Sequence, residues 1–112
     1  VLVPPGYAHS GLGFTNFVCL THPHNIGSVN LRSSDPKDPP MIQMNFLQSE
    51  ADVQKLVVGI KLLRDLFNES PLDEFRGKEI APGADIQSNA DLEAYIRDTC
   101  STVWHPVGTC KM

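Results

Sequence analysis

The sequence predicts an α+β fold in which an antiparallel sheet in the first half of the chain is covered by helices from the second half. Three observations carry this. Residues 14–45 are rich in β-formers, with short alternating stretches separated by Pro-containing turns. At Ser49 the apolar spacing changes from period 2 to helical, with apolar residues at 53, 56, 57, 60, 63 and 67. Two Ser-x-x-Asp signatures, Ser49-x-x-Asp52 and Ser88-x-x-Asp91, each stand where a helical pattern begins.

Taken in order, residues 1–12 are rich in Pro and Gly and read as loop. Phe14-Thr-Asn-Phe-Val-Cys-Leu-Thr21 reads as a strand, His22-Pro23-His24-Asn25-Ile26-Gly27 as a turn, and 28–33 as a second strand with Val29 and Leu31 on one face. These two strands are expected to pair as a hairpin. Asp35-Pro36 and Asp38-Pro39-Pro40 predict a rigid turn, because proline fixes φ and removes a donor. Residues 41–45 read as a third short strand. A helix over 49–68 follows, capped by Ser49 and Asp52 and lying on one face of the sheet. Gly59 sits inside it at about 1 kcal/mol relative to alanine, which close approach of a neighbouring backbone would explain. Ser70-Pro71 opens a short helix with proline at the first helical position, and Pro82-Gly83 is loop. Ser88 and Asp91 cap a last helix with Leu92, Tyr95 and Ile96 on one face, fading near Thr99 or Cys100.

Composition narrows the function classes. Among 112 residues, 41% are hydrophobic and 20% charged, which is ordinary for a globular chain. A formal net charge of −4 with scattered Lys and Arg argues against nucleic-acid binding. No apolar run reaches the roughly 18 residues needed to span a bilayer, so no transmembrane segment is expected. Three cysteines, Cys19, Cys100 and Cys110, do not form a disulfide framework; a reducing, cytoplasmic compartment fits them, with membrane association left open. The chain starts without Met and stops inside a motif-like run, so it is expected to be a piece of a longer polypeptide.

Few constellations could carry chemistry. Cys19-x-x-His22-x-His24 offers three ligands, but without a fourth at a typical spacing no metal is expected. Cys100 and Cys110 flank His105, yet nothing orients a Cys–His pair. Gly11-x-Gly13 lacks the third glycine and the following helix of a dinucleotide site. His105 lies between Trp104 and Pro106-Val107-Gly108-Thr109, where proline fixes the chain direction and glycine permits a turn or close approach to a flat ligand. On residue chemistry alone, a local structural role and a catalytic one both remain open for His105.

The run Thr102-Val103-Trp104-His105-Pro106-Val107-Gly108-Thr109-Cys110-Lys111-Met112 resembles the C-terminal signature of the glucose–methanol–choline (GMC) oxidoreductases, flavoenzymes that oxidise alcohols with FAD. The pattern His-Pro-x-Gly-Thr-Cys-x-Met is highly specific. Gly27-Ser-Val-Asn-Leu-Arg-Ser-Ser-Asp-Pro36 is similar to the family's Gly-x-Val-x-Leu-x-Ser-x-Asp-Pro stretch, and Pro40-x-Ile42-x-x-Asn45-Phe46-Leu47 follows at the expected distance. Asp52, Leu56, Gly59 and Arg64 fit the family's long helix. Arg76-Gly-Lys-Glu-Ile-Ala-Pro-Gly83 is close to choline-dehydrogenase-like members. One departure is Asn25-Ile26-Gly27 in place of the usual Ser-Arg-Gly, which removes a surface Arg that should not touch the chemistry.

The resemblance covers roughly residues 14–112. It implies that residues 1–112 are part of a GMC C-terminal, substrate-binding domain, the substrate side of a two-domain flavoprotein. The FAD-binding Rossmann half and a second catalytic His or Asn of the family would lie outside this chain. It implies a small-molecule alcohol as substrate, His105 as the catalytic residue beside the flavin and the hydroxyl, and Val103, Trp104, His105 and Pro106 as the cofactor-lining residues. Imidazole chemistry suits that role, as proton acceptor in its neutral form or as alkoxide stabiliser when charged. Two other functions remain in view: a non-catalytic module that kept the signature, and a hydroxynitrile lyase on the same scaffold.

Overall fold

The structure, a computed structural model, describes residues 13–105 and 108–110. In chain order they form strand β1 (Ser28–Asn30), strand β2 (Met41–Gln43), helix α1 (Glu50–Phe67), a single 3-10 turn (Ser70–Leu72) and helix α2 (Asn89–Thr99). This is the α+β class the sequence predicts, an antiparallel pair of strands with two helices, but the helices pack chiefly on each other and the strands stay largely exposed.

The sheet is an antiparallel pair in the register Ser28↔Gln43, Val29↔Ile42 and Asn30↔Met41. The loop between the strands ties itself with its own side chains. Asp35 Oδ1 accepts from Lys37 N–H at 2.9 Å, Ser33 Oγ accepts from Asp35 N–H at 3.0 Å, and Asp35 O accepts from Asp38 N–H at 3.1 Å. The rigid turn expected at 34–40 therefore joins β1 to β2. Beyond β2, Asn45 has φ 53°, which ends the extended run two residues earlier than expected.

Residues 14–21 are not a strand, and the expected hairpin of 14–21 with 28–33 does not form. This segment finds its burial against helices instead of in a ladder. Val18 and Leu20 pack on the core, and the Phe14 ring stands 5.1 Å from that of Phe67. A run of β-formers suits an extended chain lying on a helix as well as it suits a paired strand.

The core is small. Leu56 and Val57 of α1 meet Leu92 and Ile96 of α2, with Val18, Leu20, Leu47, Ile60 and Ile86 packed around them, and Val53 of α1 is also buried. Gly59 makes room in α1, though not for a backbone. An ideal Cβ there would overlap Val18 Cγ1, so the notch accepts a side chain. The strand residues themselves stay largely exposed. Contact between α1 and the start of the sheet runs through the first turn of the helix, where Ser49 N–H donates to Asn25 Oδ1 at 2.7 Å.

The two helix starts differ. Ser88 Oγ accepts from Asp91 N–H at 3.1 Å, the predicted cap. Ser49 is the N-cap of α1, but its side chain makes no cap bond. Arg64 in the last turn of α1 grips Glu79 through Nη2 and Nε at 2.8 and 3.0 Å and donates to Gly83 O at 3.1 Å, which fixes the 79–83 loop. Among the described residues, no helix is long and apolar enough to cross a membrane.

Candidate active site

The segment carrying His105 is held from both ends. At its start, Cys100 N–H donates to Ile96 O at 2.8 Å and Thr99 Oγ1 donates to Tyr95 O at 2.7 Å, closing α2. The helix is tied in turn to the start of α1. Arg97 Nη1 donates to Leu47 O at 2.8 Å, and Nη2 lies 3.3 Å from Glu50 Oε2. At the far end, Thr109 Cγ2 rests against Gly27, 2.9 Å from where a Cβ would stand.

Two described residues of this segment, Trp104 and Gly108, have left-handed backbone conformations. Trp104 has φ 63°, an uncommon value for a bulky residue and one that costs about 1–3 kcal/mol unless its surroundings enforce it. Thr102 Oγ1 accepts the Trp104 N–H at 2.9 Å and closes the turn. Gly108 has φ 87° with nothing within 4 Å of a Cβ position, so backbone conformation, not crowding, selects glycine there. The turn presents Val103, Trp104 and His105 outward; Trp104 is 69% exposed. Among the described residues the His105 ring has no hydrogen-bond partner. Pro106, the fourth cofactor-lining residue expected from the resemblance, lies outside the described residues.

An aromatic face, an aliphatic neighbour and an imidazole free of local partners can receive a planar ring and a hydroxyl together. The residues present therefore fit the ring end of a flavin. They do not supply a pyrophosphate site.

The other candidate clusters are dispersed. The Cys19 thiol contacts Leu20 O, and His22 Nδ1 shares a 3.0 Å hydrogen bond with Thr21 Oγ1. His24 turns to Asp52, so among the described residues these three do not form one ligand set. Cys100 is exposed as a residue, yet neighbouring atoms desolvate its sulfur enough to push the thiol up, away from a thiolate nucleophile.

Sequence reasoning missed the polar knot at the start of α1. Asp52 is closed off from solvent and accepts the backbone N–H groups of His24 at 2.8 Å and Asn25 at 3.3 Å. His24 Nδ1 lies 2.9 Å from its other oxygen and Lys55 Nζ 3.6 Å from the same atom. These hydrogen bonds, led by that of the His24 side chain, hold the Asp52 carboxyl below its ordinary range against the opposing effect of burial. One signal was available: Asp52 falls four residues before Leu56, on the apolar stripe, where a cap has no reason to be buried.

Comparison with known proteins agrees with the resemblance of the signature. The family model described as GMC oxidoreductase matches residues 23–112. The chain is 38% identical over 100 residues to an oxygen-dependent choline dehydrogenase of Rhizobium rhizogenes, covering 89% of this chain and 18% of that protein. It is 41% identical over 88 residues to the mitochondrial choline dehydrogenase of Homo sapiens, covering 79% of this chain and 15% of that protein. With an oxygen-dependent choline dehydrogenase of Klebsiella pneumoniae the identity is 42% over 86 residues, 77% of this chain and 16% of that protein. The chain thus spans less than a fifth of the length of these relatives, and with a family match over most of its own length it belongs to the GMC oxidoreductase family.

Proposed function

We propose that this chain is the substrate-side, C-terminal part of an FAD-dependent alcohol oxidoreductase and that His105 is its catalytic residue. The observation that carries this is the outward display of His105 beside Val103 and Trp104 on a turn anchored at both ends. The FAD-binding half is assigned to the rest of the same polypeptide, because this sequence has no strand–Gly-loop–helix unit. Choline is the first alcohol to test, since the relatives above are named for it. The three free, exposed thiols suit a reducing, cytoplasmic setting.

In this reaction the alcohol loses a proton from oxygen and a hydride from carbon, leaving a carbonyl. FAD, when bound, would accept the hydride, which carries both electrons of the oxidation. His105 deals with the other hydrogen. A ring nitrogen in the neutral form takes the hydroxyl proton as the C=O bond forms, and the resulting imidazolium balances charge remaining on that oxygen. Val103 and Trp104 would line the flavin ring beside the imidazole, with Pro106 assigned to the same lining by the resemblance alone.

His105→Ala in the full-length, flavin-replete protein tests this. Positioned acid–base groups are worth roughly 10²–10⁴-fold in rate. Stopped-flow reduction of the flavin by the alcohol should therefore slow by at least about 10²-fold while the visible flavin spectrum persists. A fall of less than about tenfold would place His105 outside the chemistry.

A further inference from the structure

We infer that Gly27, through its contact with Thr109, is a positioning residue for His105: the missing side chain at 27 is the seat on which the far end of the His105 turn rests. The inference depends on the role proposed for His105.

Gly27 is half-buried, and its φ is not in the left-handed region, so its backbone conformation is open to any residue. Space is what demands glycine. An ideal Cβ would overlap Gln43 O, stand 2.9 Å from Thr109 Cγ2 and lie 3.2 Å from Met44 Cα. Two of these three neighbours are backbone atoms and cannot rotate away. The contact therefore stacks three pieces of chain: the turn before β1, the exit of β2 and the end of the signature.

The underlying pieces are tied together by hydrogen bonds. Asn45 Nδ2 donates to Ile26 O at 2.9 Å, joining the exit of β2 to the residue before Gly27. Asn25 Oδ1 accepts from Ser49 N–H at 2.7 Å, and His24 N–H donates to the buried Asp52 at 2.8 Å, so the same turn is fixed to the start of α1. The end of α2 is tied to that start as well, through Arg97 and Leu47 O at 2.8 Å. Both anchors of the His105 turn thus stand on one frame. The α2 anchor is covalent, whereas the Thr109 anchor rests on contact with Gly27. A methyl group added at 27 displaces Thr109, β2 or both, and the turn carrying His105 moves with them. Misplacement by about 1 Å costs on the order of 10²-fold in a rate that depends on alignment.

The experiment uses the full-length, flavin-replete protein and compares Gly27→Ala, Thr109→Ser, the double variant and Gly77→Ala, whose Cβ would meet nothing within 4 Å. The limiting rate of flavin reduction and the substrate dissociation constant are read separately, with flavin content and thermal midpoint as checks on folding. Gly27→Ala should lower the limiting rate about 10–10²-fold with a much smaller change in substrate affinity. Gly77→Ala should leave both as they are. Thr109→Ser removes the crowded methyl, so the double variant should regain at least about threefold over Gly27→Ala, as expected of side chains in contact. Thr109→Ser alone should slow reduction by a smaller factor because the seat is left loose, and this variant decides the matter if Gly27→Ala does not fold. Strict additivity of the two substitutions, or an unchanged limiting rate in either single variant, overturns the inference. If His105→Ala is slow while Gly27→Ala is not, only the positioning role falls; if His105→Ala reduces its flavin normally, the catalytic assignment falls first.

Discussion

At the start of α1, one carboxylate holds the helix to the turn that precedes the sheet. Asp52 has no solvent access, and its oxygens take two backbone N–H groups and the His24 ring. Because these bonds hold its pKa below the ordinary 3.8, the native state gains from its ionised form. The sign follows from linkage: the contribution is fully present above about 3.8 and is lost as pH falls through the lower folded-state value. Thermal unfolding followed from neutral pH down to well below 3.8 should show this loss. Asp52→Asn should unfold several degrees lower at neutral pH and lose that part of the acid dependence; an unchanged acid limb would assign it to other groups. A Ser-x-x-Asp signature gave the correct start of α1 but the wrong partner for Asp52, since a cap is a local pattern and the His24 contact comes from 28 residues away.

Helix α1 shows what packing decides at the scale of an element. Glycine in a helix interior costs about 1 kcal/mol relative to alanine, so Gly59→Ala would stabilise an isolated helix. Here the new Cβ would overlap Val18 Cγ1, with Val18 Cγ2 3.1 Å away. Crowding of this kind costs about 1–3 kcal/mol, and Val18 has one short, branched side chain with which to yield. Gly59→Ala should therefore be destabilising on its own and neutral or stabilising in a Val18→Ala background, measured by denaturant unfolding as a double-mutant cycle. Equal effects in both backgrounds would separate Gly59 from Val18. The helices were legible because amphipathic spacing is a property of consecutive residues. Residues 14–21 were not, because their composition allows either a ladder or a packed extended chain, and a strand needs a partner that sequence does not supply.

The described residues do not close into a compact body. The radius of gyration is 17.8 Å, against about 13 Å for a compact chain of 100 residues. Among the described residues five apolar side chains are buried, while Leu62, Leu66, Leu31, Ile42 and Trp104 are each more than half exposed. The chain matches less than a fifth of each relative's length. The 112-residue chain alone should therefore bind FAD weakly or not at all, and should bind an apolar dye strongly. A yellow fragment with stoichiometric flavin would overturn the division of labour between the halves. The sequence by itself determined the helices, the rigid turn at 34–40 and the signature around His105, since each is written in neighbouring residues or in a specific motif. Only the tertiary structure decided which strands pair, what Asp52 holds, why Gly59 faces Val18, and that Thr109 rests on Gly27. Those depend on contacts between residues far apart in the chain, whose energies no local pattern contains.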